Sequence, residues 1–190
     1  MKIKKTAKKI WNFLVHDESL ASFIADAIII ILLGRFVIYP ILGLAFGTAF
    51  PVVAVVSSSM DHESLDFDAW WAENSEEYEE FEITKLEFES FYRKNGFNKG
   101  DIFVAKGVPF EELQVGDIAI YRIAEQRDPI IHRIVLIEED TIQTKGDANP
   151  IQLHFEKSIS EEQIQGKAIA RIPYLGWLKV LLVETINLFR

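Results

Sequence analysis

Four textures of hydrophobic and polar positions succeed one another along the chain. Residues 21–50 are almost continuously apolar, densest at Ala27-Ile28-Ile29-Ile30-Ile31-Leu32-Leu33-Gly34 and resuming from Phe36 to Phe46 after Arg35. About 20 apolar residues cross a bilayer, so this pattern predicts one tilted transmembrane helix. Asp26 lies near one end of it and Arg35 can snorkel, so neither argues for an intramembrane function. Residues 61–98 place Trp70, Trp71, Tyr78, Phe81, Phe88, Phe91 and Tyr92 at spacings near 3, 4 and 7. That spacing predicts short amphipathic helices with a buried aromatic side and a solvated acidic one. From Gly100 the texture changes to β-branched runs at 101–105, 117–121, 130–137 and 141–144, bounded by turn residues, which predict antiparallel strands. The tail, 172–190, is apolar again but carries Lys179, Glu184, Asn187 and Arg190. Beyond Gly176 it is too short to cross a bilayer, which predicts an amphipathic helix lying in the interface.

The pattern divides the chain into a basic segment (1–20), a transmembrane anchor (21–50), a mainly β domain (51–171) with a helical acidic insert (61–98), and a membrane-contacting tail (172–190). Charge then orients it. Lys2, Lys4, Lys5, Lys8 and Lys9 precede the apolar segment with no acid before Asp17, which keeps the amino terminus cytoplasmic and puts residue 59 outside. A cleaved signal peptide would have an apolar region of only ~7–15 residues, so the segment reads as an uncleaved anchor. The net charge of -9 lies in the insert, where 12 acids stand against Lys85, Arg93 and Lys94. With no cysteine there is no disulfide, thiol nucleophile or thiolate metal site. His62, Glu63, Asp66 and Asp68 match no specific metal spacing, and no basic stripe suggests nucleic acid.

A serine hydroxyl becomes a nucleophile at neutral pH only with a base in hydrogen-bond reach and a third group that fixes the tautomer of that base. Ser59 ends the strand-like run 51–56 plus its serine triplet, His132 lies within an apolar strand, and Asp147 occupies the turn Lys145-Gly146-Asp147-Ala148-Asn149-Pro150. Singly, each has a plain structural reading: a loop serine, a satisfied strand histidine, a turn aspartate.

Their order gives more. Val55-Val56-Ser57-Ser58-Ser59-Met60, Lys99-Gly100-Asp101, Val115-Gly116-Asp117-Ile118, Ile131-His132-Arg133-Ile134-Val135 and Thr144-Lys145-Gly146-Asp147-Ala148-Asn149 stand in that sequence behind the apolar segment. Together they resemble the boxes of the type I signal peptidases, in the archaeal and endoplasmic-reticulum branch that carries histidine where bacterial enzymes carry lysine. Ile172-Pro173-Tyr174-Leu175-Gly176-Trp177 resembles the approach to that family's carboxy-terminal membrane segment. The resemblance implies a signal-peptidase-like antiparallel β domain with Ser59 as nucleophile, His132 as general base and then acid, and Asp147 as the orienting carboxylate. It implies an oxyanion hole from the Ser59 backbone N–H and the Ser57 hydroxyl. Ser58 stands where the family commonly has glycine, which raises the question of a positive φ. The family often carries a second carboxylate beyond the Gly-Asp-x-Asn box. Here Gln152 and Glu156 follow, and Asp147 ranks ahead of Asp140, Asp128 and Glu156 as third member.

The implied substrate is a secretory preprotein with small residues before the cut, held in a shallow apolar cleft beside an edge strand. Residues 51–56, faced by 102–105, suggest Val53, Val55, Ile102 and Val104 as cleft residues. The implied enzyme is a signal peptidase I requiring no cofactor and no metal. It sits in the cell membrane, crossing once, with lipid, the Sec translocon or partner subunits as neighbours. Two alternatives remain open: a Ser-Lys self-cleaving peptidase of the same fold using Lys145 or Lys106, and an inactive subunit that binds signal peptides. His132 speaks against the first, and the intact Ser, His and Asp against the second.

Overall fold

The computed structural model describes residues 2–188. Met1, Phe189 and Arg190, the outer ends of the basic segment and of the tail, lie outside the described residues, as do the side chains at 2, 3, 7–10 and 186–188. The chain divides between Ala45 and Phe46 into two compact units.

In the first unit, α1 (Lys2–His16) and α2 (Leu20–Leu33) are separated by a break with a local polar cause. Ser19 accepts from the Ser22 N–H at 3.3 Å, and its own N–H donates to the Asp17 carboxylate at 2.8 Å. A serine in this place satisfies one of the unpaired N–H groups of the helix start. α2 runs on through a π-helical turn, Gly34–Ile38, into α3 (Tyr39–Phe46). The result is one helical stretch, Leu20–Phe46, of 27 residues, long and apolar enough to cross a membrane. At 1.5 Å per residue it is about 40 Å long, enough to cross a hydrocarbon layer of ~30 Å. It stops short of the expected residue 50 because Gly47 turns the chain at φ +63°.

The second unit is a seven-stranded antiparallel sheet in the order β1-β2-β7-β3-β4-β5-β6. Its strands are β1 (Val52–Ala54), β2 (Ile102–Lys106), β3 (Ile118–Tyr121), β4 (Ile130–Ile137), β5 (Thr141–Lys145), β6 (Ile159–Ser160) and β7 (Ile164–Ile172). The β-branched runs from 101 to 144 fall in strands β2 to β5. β7, which joins β2 to β3 at the middle of the sheet, does not stand out in the sequence. Gly166, Lys167, Ala168, Ala170 and Arg171 have weak strand preference, and the strand is held by its neighbours instead. α6 (Trp177–Leu188) follows it, leaving Trp177, Leu178, Leu181 and Leu182 exposed.

The insert forms α4 (Phe67–Glu79), capped by Asp66 on the Ala69 N–H, and α5 (Lys85–Ser90), capped by Thr84 on the Glu87 N–H. Phe67, Trp70, Trp71, Tyr78, Ile83 and Phe88 are buried together with Val135 of β4. Trp70 and Trp71 thus lie in a core. β4 is buried from Ile130 to Val135 on both faces, because the insert covers the face that carries Arg133 and Val135. A strand covered on both sides carries apolar residues on both faces, as this one does on either side of His132 and Arg133.

Excision of residues 61–98 with the gap closed is expected to abolish the cooperative thermal transition of the domain, measured by circular dichroism. Phe88→Ala, at a fully buried position, is expected to lower unfolding free energy by about 3–5 kcal/mol in a denaturant titration.

Candidate active site

Ser59 follows β1 on a short turn closed by Asp61 N–H to Ser58 O at 3.0 Å. Ser58 itself takes no positive φ, so a serine fits where the family's glycine raised the question. Its neighbours are pinned to the sheet by Val55 N–H to Asp101 O and Gly100 N–H to Val55 O, both at 2.9 Å. His132 lies inside β4, opposite Ala119 of β3, and its ring is buried. Its Nε2 is 2.8 Å from Ser59 Oγ, and its Nδ1 is 2.5 Å from Oε1 of Glu156. Glu156 closes a short 3-10 turn, His154–Glu156, and is fully buried. It also accepts from Gly146 N–H at 3.0 Å and Leu153 N–H at 2.6 Å. Facing a carboxylate, Nδ1 carries the ring proton, and Nε2 is left to accept from the Ser59 hydroxyl. Ser57 Oγ stands 3.1 Å from Ser59 Oγ on the exposed side.

Asp147, the expected third member, is bonded elsewhere. Its Oδ1 accepts from Tyr78 OH at 2.8 Å and Arg133 Nε at 3.0 Å, and its Oδ2 from Arg133 Nη2 at 2.7 Å and His62 Nε2 at 3.0 Å. The reason is the period of two in β4. His132 and Arg133 point to opposite faces, so a carboxylate that serves Arg133 is on the wrong side for the imidazole. The carboxylate at the imidazole is Glu156, which the sequence reading had ranked behind Asp147. Burial alone would raise the Asp147 carboxyl, but the Arg133 charge and the bonds from His62 and Arg133 outweigh it and hold it well below the usual carboxylate range. Burial and the charge of Asp147 push the Tyr78 phenol up, so it stays a donor.

Lys145 is buried next to this network, and burial lowers its pKa. Its Nζ donates to Asn149 O at 2.7 Å and lies 4.9 Å from the centre of the Tyr78 ring. Lys106 is exposed at the end of β2. The nitrogen beside Ser59 is therefore that of His132.

A cleft of about 220 Å³ opens at Ser59. Ala54, Val56, Ile130, Ile131, Leu153 and Phe155 supply apolar wall, with Ser57, Ser59, His132 and Asn149 as polar groups and Asp128 at the rim. Val53 and Val55, expected in the cleft, are in the core at 4% and 2% exposure. The alternation of the segment puts Ala54 and Val56 on the cleft side instead. Ile102 and Val104 are half-buried on the face shared with Ala54 and Val52, next to the cleft but not among its walls. Leu153 and Phe155 were missed. Their apolar side chains in a polar loop just past the turn at 145–150 were the available signal.

A hydroxyl, an imidazole and a carboxylate in one hydrogen-bonded line, at the floor of a cleft in an antiparallel β domain, form the arrangement with which hydrolases of the acyl-transfer class activate a nucleophile. No family model matches the chain. It is 30% identical over 145 residues to the signal peptidase complex catalytic subunit sec11 of Schizosaccharomyces pombe, covering 70% of this chain and 68% of that protein. It is 30% identical over 98 residues to the subunit SEC11 of Colletotrichum graminicola and 31% over 98 residues to sec11 of Sclerotinia sclerotiorum. Those two matches cover 46% of this chain and 57% of each relative's length. The chain belongs to the type I signal peptidases, in their eukaryotic and archaeal-type branch.

Asp147→Asn leaves a buried guanidinium without its countercharge and is expected to cost about 3–5 kcal/mol of stability. A carboxyl held low in the folded state contributes fully above the unfolded value of about 3.9, and its contribution fades as pH falls toward the lower folded value. Melting temperature followed from pH 6 down to pH 2 is expected to fall more steeply for wild type than for Asp147→Asn.

Proposed function

We propose that this chain is a membrane-bound serine endopeptidase that removes signal peptides from secretory preproteins. The observation that carries the reading is the line Ser59 Oγ to His132 Nε2 to Glu156, at 2.8 and 2.5 Å, open to an apolar-walled cleft. His132 takes the Ser59 proton as the hydroxyl attacks the scissile carbonyl, and the Glu156 carboxylate supports the imidazolium. The Ser59 N–H and the Ser57 hydroxyl donate to the oxyanion, a contribution of about 2.7–4 kcal/mol per donor in comparable sites. His132 then gives its proton to the leaving amine, and an ester to Ser59 remains. Water, deprotonated by His132, releases the acyl group. Every proton has a place in the protein or in water, so the scheme uses no cofactor.

Small side chains at the cut suit a cleft of this size, and Ala54 and Val56 offer an extended segment beside which a peptide can lie. The helix Leu20–Phe46 is the membrane anchor in this reading, with the lysine-rich amino terminus cytoplasmic and the β domain on the extracytoplasmic side. The partners are then the preprotein and the lipid around the helix. The relatives are named as subunits of a complex, and this chain is read as taking partner subunits too.

The test is cleavage of a preprotein by the detergent-solubilised full chain. Ser59→Ala and His132→Ala are expected to abolish cutting while circular dichroism shows folded protein; retained turnover in Ser59→Ala would sink the mechanism. Glu156→Gln is expected to lower kcat by roughly 10³–10⁴-fold by presenting the wrong tautomer. A loss from Asp147→Asn, in a chain still folded, that exceeds the loss from Glu156→Gln would return the direct role to Asp147.

A further inference from the structure

The Asp147 carboxylate joins the acidic insert to the catalytic groups. Each of its oxygens receives one bond from Arg133 and one from the insert, Tyr78 on Oδ1 and His62 on Oδ2. Both insert residues are themselves fixed. The His62 ring stacks on Trp70 at 3.7 Å with a 4° angle between planes, and Tyr78 meets Phe88 edge-on at 4.8 Å. Arg133 alone would hold the carboxylate in one plane; two further donors on separate oxygens resist rotation out of it.

The backbone on either side of Asp147 reaches the reacting groups. Gly146 N–H donates to Glu156 Oε1 at 3.0 Å, and Ala148 N–H donates to Ser59 O at 2.8 Å. The turn presses so closely on the nucleophile that a Cβ at Gly146 would stand 2.9 Å from Ser59 O. One turn thus holds the carboxylate of the catalytic line by an oxygen and the nucleophile by its carbonyl, with His132 between them. A rotation at Asp147 would displace both together.

We propose that the insert is an internal clamp on this turn, and that His62 and Tyr78 are positioning residues that act through Asp147 on Ser59 and Glu156. The inference rests on the reading of Ser59 and His132 as the reacting pair. It gives the acidic stretch a task that neither solubility nor a lid would require.

Tyr78→Phe deletes one bond to Asp147 and keeps the ring. It is expected to lower kcat for preprotein cleavage about 10- to 100-fold with KM unchanged, the scale of a reacting group displaced by a fraction of an ångström to an ångström. Hydrogen exchange at the Gly146 and Ala148 amides is expected to accelerate, and the His132 Nδ1 proton resonance to move upfield as its bond to Glu156 lengthens. His62→Phe, which keeps the stack on Trp70, is expected to act in the same direction, and His62→Gln, which retains an N–H donor, to restore part of the loss. His62→Phe carries the test should Tyr78→Phe fail to fold. The control is Phe67→Leu, in the same aromatic cluster but with no bond to Asp147. At equal loss of melting temperature it is expected to leave kcat, the two amides and the imidazole proton as in wild type. The proposal is overturned if Phe67→Leu shifts these quantities as much as the His62 and Tyr78 variants, or if those variants shift none of them. The amide and imidazole readings need no substrate, so they decide the clamp even in a chain that cuts no preprotein.

Discussion

Arg133 has no solvent exposure, and a guanidinium does not give up its charge, so the fold must bring acceptors to it from every side. Asp147 supplies two bonds from the turn after β5, the carbonyls of Tyr92 and Arg93 supply two from the end of the insert at 3.0 Å, and Gly116 O supplies one at 3.2 Å from the approach to β3. The Phe88 ring covers the guanidinium with its centre 4.6 Å away. A buried ion pair of this kind adds little net stability compared with an apolar cluster. Its effect is on choice of structure. Any packing in which the insert, the 145–150 turn or the segment before β3 is displaced takes acceptors away from the buried Arg133 guanidinium, and the arrangement shown brings all of them to it.

That constraint explains why the chain spends two buried carboxylates on one strand. His132 and Arg133 are neighbours in β4 and face opposite ways, so each needs its own acid. Asp147 answers the permanent charge and Glu156 answers the imidazole. Placing one carboxylate between them is not geometrically open, since the sheet itself intervenes. Lys145 is buried near both acids and ties down the carbonyls of Gly146 and Asn149, which keeps the turn between the two from relaxing toward either.

The sequence disclosed the order of the strands from 102 to 145 because each is a short run rich in β-branched residues with turn residues at its ends. The apolar helix was legible by length alone, to within four residues at its end. Three things were not legible. Strand β7 sets its three isoleucines among small, polar and basic residues, so its place depends on β2 and β3. The phase of the segment before Ser59 could not be read, since Val52, Val53, Val55 and Val56 carry the same side chain on both faces; only the sheet decides that Val53 and Val55 face inward. The partner of His132 depends on which side of β4 the chain crosses after residue 145, and a carboxylate eleven residues further on carries no local sign of that crossing. The aromatic spacing of the insert gave its helices and its buried side, but the two bonds from His62 and Tyr78 to Asp147 are long-range contacts without a periodic signature.

A cleft of about 220 Å³ is smaller than the roughly 300–1,000 Å³ of sites that hold a ligand by burial alone. In the proposed reading the cleft therefore recognises little more than small side chains next to the cut, and selectivity has to come from elsewhere. One source is backbone pairing along an edge, which is indifferent to sequence. The other is confinement. Only Gly47–Pro51 separate the end of the apolar helix from β1, and Ser59 follows that strand closely. In the proposed reading a substrate tethered in the same bilayer by its own apolar segment would meet the site at a high effective concentration, which would allow a weakly binding cleft to act often. Weak binding would in turn permit release of the cut product, so under that reading a larger and tighter pocket would gain affinity where anchoring would already supply turnover.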